Sequence, residues 1–177
     1  MRIIGVDPGV NGAVGVITET GNFIEAFEMP TVLANKSSNR QMVNAYGLAA
    51  ELRRILNDSD GDIVAITESV NAMPDQGVAS VFAFGKSFGI MLGVLAALGI
   101  STELVSPQRW KKHFDLAGGE KEQARELAIR LFPTSPMPLK KHHNRAEALL
   151  IARYYRDVYL RPAPVVHRAA VAAGVPF

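Results

Sequence analysis

The chain opens on a short apolar run at residues 2–6, ended by Asp7-Pro8-Gly9, which is the pattern of a buried strand running into a turn. A β-rich stretch follows at 12–18, a second turn at 19–21 and a third strand at 22–29, so the N-terminal part reads as two consecutive hairpins. Residues 31–39 are polar and read as a loop. Apolar residues at 42, 45, 48, 49, 52, 55 and 56 recur with helical spacing and predict a helix that Asn57-Asp58 stops. The compact run Ile63-Val64-Ala65-Ile66 predicts a strand over 62–67, with Glu68 just past its end and a polar loop at 69–76. A long apolar stretch predicts a helix over 78–98, and a strand follows at 102–105. Ser106 reads as an N-cap with Pro107 at the first helical position. Gly118-Gly119 breaks the chain before a helix over 120–131, a Pro-rich connector occupies 133–138, and a last helix runs from about 144 to 158. Hairpins first, then strand–helix alternation, imply an α/β domain over 1–160: a mixed sheet of five strands, flanked by helices. Residues 161–177 read as a loosely attached tail. No internal repeat is visible.

Composition narrows the chemistry. The 177 residues suit one domain with an ample core. There is no cysteine, which excludes disulfide scaffolds, thiolate metal sites and thiol nucleophiles and is compatible with a reducing, cytoplasmic setting. The formal net charge of +2 divides into −5 over residues 1–104 and +7 over 105–177, so the C-terminal part is suited to a polyanion. The opening apolar run is too short for a secretory signal. The stretch 78–100 carries Lys86 and several glycines and serines, which favours a buried or dimer-forming helix over a membrane span.

Candidate chemistry lies in the acids. Asp7 and Glu68 each end a strand, where ligand sites of open α/β sheets gather, and they share one crevice if the two strands are neighbours. Glu147 sits among Ala146, Ala148, Leu149, Leu150 and Ile151, surroundings in which a carboxylate is costly unless it meets a cation. His143 is four residues before it and Asn144 three, both on its helical face. Hard oxygen ligands with open positions suit Mg²⁺ or Mn²⁺. Two such ions serve in-line phosphoryl displacement. The structural alternatives are a turn role for Asp7, a surface position for Glu68, and a Glu147 paired with Arg145 or Lys141. Gly85, Gly89 and Gly93 recur every fourth residue, a spacing that permits close helix–helix approach in a symmetric dimer or internal packing on the sheet. Gly85-Lys86-Ser87 is not a phosphate loop, because position 80 is Ser and the segment lies inside a helix.

Five blocks in order resemble RuvC-type Holliday junction resolvases, in particular the phage, prophage and organellar branch. They are Ile3-Ile4-Gly5-Val6-Asp7-Pro8-Gly9 with Gly12-Ala13; Ile66-Thr67-Glu68; Ser106-Pro107-Gln108-Arg109-Trp110-Lys111-Lys112; Glu120-Lys121; and Arg145-Ala146-Glu147-Ala148-Leu149-Leu150-Ile151-Ala152. The resemblance implies an RNase H-like fold, a homodimer and Mg²⁺-dependent paired nicking of four-way DNA junctions, with two ions per site and Mn²⁺ able to substitute. Asp7, Glu68 and Glu147 match the family's metal-binding acids. For the fourth position the main branch has an acid, sometimes a histidine, three residues before the last acid, where this chain has Asn144; relatives with the Arg-Ala-Glu-Ala block tend to place the acid four before, where it has His143, and His143 is preferred. Lys121 matches a basic residue near the scissile phosphate, as does Lys111 or Lys112. Arg109 is a further DNA contact on the same basic helix. Asn71 and Met73 fall where the family inserts a wedge at the junction centre. The dimer is expected through the helix of Gly85, Gly89 and Gly93. The alternative reading is a non-catalytic branched-DNA-binding module of the same fold.

Overall fold

The computed structural model describes residues 1–34, 39–71, 77–119 and 121–160, the Lys121 side chain excepted. Strands β1 (Arg2–Asp7), β2 (Ala13–Thr18) and β3 (Phe23–Glu28) form the expected antiparallel meander. β4 (Thr31–Leu33) and β5 (Gln41–Val43) pair separately as a two-stranded ribbon. α1 (Ala45–Asn57), β6 (Ile63–Glu68), α2 (Val78–Ala97) and β7 (Ser101–Val105) follow, then α3 (Pro107–His113), α4 (Lys121–Leu131), a 3₁₀ turn at Lys140–His142 and α5 (His143–Tyr159). The main sheet has the order β3-β2-β1-β6-β7, with β6 parallel to both β1 and β7.

Period-two alternation in the central strands sorts the core onto two faces. Ile3, Ile17 and Ile66 pack with Trp110, Ala128, Phe132, Leu149 and Tyr154 from α3, α4 and α5 and the segment after α4. Ile4, Val6, Val14, Val16 and Ala65 pack on the opposite face with Leu48, Leu52 and Ile55 of α1 and Met91 and Leu95 of α2. Each fully buried aliphatic side chain contributes about 1.5–3 kcal/mol, so a helix on each face is what makes this sheet stable. The architecture is the expected α/β arrangement of three layers.

Two local expectations are corrected. The polar stretch after Pro30 is not all loop, and the first helix does not start at residue 42. Val32 pairs with Met42 across the β4–β5 ribbon. The helix begins at Ala45, because the Asn44 side chain accepts a hydrogen bond from the Gly47 N–H at 3.0 Å and so satisfies an otherwise orphaned donor. Met42 fits the helical period of the residues after it but belongs to a strand.

Candidate active site

Strand parity places the first two acids. Residues 3, 5 and 7 of β1 point to the face covered by α5, as do 64, 66 and 68 of β6. The parallel register sets Val6 beside Thr67, so Asp7 and Glu68 end neighbouring strands on the same face. Thr67 fixes this register: it is fully buried, and its hydroxyl donates to the Val6 carbonyl at 3.0 Å. Past Asp7 the chain turns through Gly9 at φ 109°, a conformation that disfavours any side chain. The turn closes with Gly12 N–H donating to the Gly9 carbonyl at 3.1 Å. A Cβ on Gly12 would clash with the Asp7 carbonyl.

α5 brings the third acid by crossing β1 and β2 in direct backbone contact. Gly5 and Gly15 stand opposite each other in the β1–β2 register. A Cβ on Gly5 would collide with the Ala148 carbonyl and lie 2.5 Å from Ala152 N, and one on Gly15 would lie 2.8 Å from Leu149 N. The two glycines therefore seat α5 flat on the sheet at Ala148 and Leu149, one residue from Glu147. Asp7, Gly9, Phe84, Asn144 and Glu147 line a cleft of about 260 Å³.

α3 closes the Glu68 side. Trp110 is fully buried, and its indole N–H donates to Glu68 Oε2 at 2.8 Å. Lys111 Nζ lies 3.6 Å from Glu147 Oε1 and 5.2 Å from the centre of the Trp110 ring. Burial pushes the Glu68 carboxyl above its ordinary range, and the Glu147 charge pushes the same way, while the Trp110 hydrogen bond and the Lys111 charge oppose it. Two carboxylates thus interact in a partly dry place where one lysine supplies the local counter-charge.

The set is chemically suited to a hard divalent cation: carboxylate oxygens, one side-chain amide and no sulfur. Among the described residues no three His, Asp or Glu side chains converge tightly enough to enclose an ion as they stand. Asn144 lines the same cleft as Asp7 and Glu147, and its Nδ2 donates to the Asn11 carbonyl. His143 lines the adjoining cleft of about 630 Å³ with Lys141 and Arg145, its Nδ1 3.1 Å from the Lys140 carbonyl oxygen. Arg109 and Lys112 are exposed on α3, and Asn71 is exposed beyond β6. Met73 and the Lys121 side chain lie outside the described residues. The residue that sequence reasoning left without a role is Trp110. Its signal was a tryptophan inside an otherwise basic helix start, where an indole buried by the fold must find an acceptor.

No family model matches the chain. A segment of 85 residues is 35% identical to the chloroplastic Holliday junction resolvase MOC1 of Chlamydomonas reinhardtii; it makes up 46% of this chain and 10% of that relative. Thermus thermophilus RuvC superposes with a TM-score of 0.63 at 18% identity, over 89% of this chain and 96% of that one. T. thermophilus RuvC in complex with a Holliday junction substrate superposes with a TM-score of 0.61 at 17% identity, over 89% and 95% of the two chains. The chain therefore has the RNase H-like fold of RuvC, and a segment of it resembles a Holliday junction resolvase in sequence.

Proposed function

We propose that the chain is a divalent-metal-dependent DNA endonuclease that resolves four-way junctions by paired nicks. The observation that carries this reading is that Asp7 and Glu68 end neighbouring strands on the face covered by α5, while Glu147 of α5 lines one cleft with Asp7, in a chain with the fold of RuvC. The +7 charge of residues 105–177, which include α3, α4 and α5, supports a polyanionic substrate.

Asp7, Glu68 and Glu147 would hold the ions, two Mg²⁺ per site, with Asn144 nearest as a neutral fourth donor. Bound divalent ions supply Lewis-acid polarisation of the phosphate and an activated water. The chain's own residues do the rest. The carboxylates would keep the ions between two strand ends and a helix. Lys111, at the rim, is placed to meet a phosphate oxygen, and the exposed Arg109 and Lys112 extend that basic surface along the DNA. His143, in the adjoining cleft with Lys141 and Arg145, serves the same polyanion.

The reading includes a homodimer through α2. Only Ser87, Met91 and Leu95 of that helix are buried, while Val78, Phe82 and Phe84 are exposed. A Cβ on Gly85, Gly89 or Gly93 meets nothing within 4 Å. This is the one helix among the described residues long and apolar enough to cross a membrane. A second copy covers it better than lipid, because Lys86 lies in mid-helix and Phe84 also lines the Asp7–Glu147 cleft. Gly89→Leu fills that open stripe without touching the protomer's core. It is expected to give a folded monomer in sedimentation, and an undiminished dimer would move the interface elsewhere.

The deciding experiment compares a labelled four-way junction with a matched linear duplex, each with Mg²⁺ and with EDTA. Paired nicks confined to the junction and to Mg²⁺ are expected. Tight junction binding without cleavage in Mg²⁺ or Mn²⁺ would replace the nuclease reading by that of a binding module.

A further inference from the structure

On the metal-dependent reading above, α3 contacts two of the acids that would hold the ions. Consecutive residues of this helix reach two acids from different elements: Trp110 touches Glu68 at the end of β6, and Lys111 touches Glu147 on α5. We propose that Trp110 is a positioning residue for Glu68 and that Lys111 is the exchangeable counter-ion of Glu147, displaced when a divalent cation binds.

The two contacts differ in kind. The Trp110 ring is fully buried, and a buried indole N–H without an acceptor is costly. Its bond to Oε2 therefore persists. It uses one oxygen of Glu68, leaves the other and the remaining lone pairs for a cation, and selects one rotamer. Outer-shell donors of this kind orient the carboxylates that bind metals. α3 is held in place from behind. The His113 ring packs edge-on against Tyr154 at 5.3 Å, and its Nε2 lies 3.5 Å from Asp157 Oδ2. Asp157 is itself tied to Arg153 at 2.9 Å and Arg156 at 2.8 Å. The indole thus reaches Glu68 from a helix anchored on α5, the element that carries Glu147.

The Lys111 contact is loose by comparison. At 3.6 Å, with a lysine side chain 37% exposed, the ion pair belongs to the weak class. Its flexible stem lets the ammonium leave when a doubly charged ion takes its place at Glu147. The lysine then stands beside the cleft, free to meet a phosphate oxygen. Before ion binding Lys111 relieves the carboxylate repulsion, and afterwards the same charge faces the substrate.

The test measures ion binding without DNA. Trp110 is the only tryptophan in the chain, so its emission reports on the site directly. Addition of Mg²⁺ to the intact protein is expected to change that emission saturably, and Glu68→Gln to abolish the change. By calorimetry with Mn²⁺, Trp110→Phe is expected to weaken binding by about 10-fold or more, as outer-shell losses do. The same change in a Glu68→Gln background should have no further effect, because Trp110 acts through Glu68. Lys111→Met is expected to tighten Mn²⁺ binding, by up to about fivefold, the worth of a partly exposed ion pair. An Mg²⁺ response that survives in Glu68→Gln, or a Trp110→Phe effect of equal size in both backgrounds, overturns the positioning role. Unchanged or weaker Mn²⁺ binding by Lys111→Met overturns the counter-ion role. Failure of the unmodified protein to bind either ion would instead overturn the metal-dependent reading on which both roles rest. If Trp110→Phe does not fold, the emission of Glu68→Gln decides the first role alone.

Discussion

Glu68→Gln is expected to lower the rate of junction cleavage by at least about 10³-fold while leaving junction affinity intact. Loss of a ligand that holds an ion against the reacting phosphate removes several kcal/mol of transition-state stabilisation, and about 4 kcal/mol is a factor of about 10³. The substitution is nearly isosteric, and the amide oxygen still accepts from the Trp110 indole, so the packing of α3 on β6 survives. The same variant is expected to be more stable than the unmodified protein at pH 7. The folded-state carboxyl titrates above its ordinary value of 4.5, chiefly because it is buried. Its contribution to stability is therefore fully present below about pH 4.5 and is lost as pH rises through the elevated folded value. At neutral pH the buried charge opposes folding, and glutamine removes it. Single-turnover cleavage, junction binding and urea unfolding at pH 4 and 7 check the three parts. Cleavage within tenfold of the unmodified rate would take Glu68 out of the reacting centre, and lost junction binding would make it a DNA contact.

The second large effect is on the fold. Gly5→Val is expected to cost at least about 3 kcal/mol, which is the upper end of ordinary overpacking. The added atoms meet backbone rather than a yielding side chain, namely the Ala148 carbonyl and Ala152 N at 2.5 Å. Relief requires α5 to lift from β1, and that helix carries Glu147 and Asn144. With total stabilities of about 5–15 kcal/mol, the loss is large enough to threaten folding. Any fraction that stays folded should lose cleavage as well, because Glu147 leaves Asp7. Urea unfolding of the variant measures the cost, and a loss below about 1 kcal/mol would show that α5 is not seated on Gly5.

These two residues illustrate what was legible along the chain. Glu68 was readable because an acid ending an apolar run is an anomaly in a local pattern. Gly5 and Gly15 carried no such signal: the sequence analysis gave neither a role, because nothing local says what approaches a glycine within a strand. The residue that approaches Gly5 lies more than 140 positions away in sequence. Met42 misled for the converse reason: it satisfies a helical period, yet the β4–β5 partner supplied by Val32 outweighs that preference. The fourth position turned on geometry of the same kind. His143 and Asn144 both share a helical face with Glu147, and the seating of α5 puts Asn144 on both clefts and His143 on the larger one alone.

Most of the strand and helix periods, the place of Asp7 and Glu68 at strand ends and the Ser106 cap were legible along the chain. All of these are set by neighbours within a turn or a strand length. Packing alone puts β6 beside β1, carries α5 across both strands of the first hairpin at their glycines, and brings Trp110 to Glu68 across 42 residues. Those outcomes depend on which buried surfaces fit one another at backbone distance, and that complementarity is a property of the packed chain rather than of any segment of it.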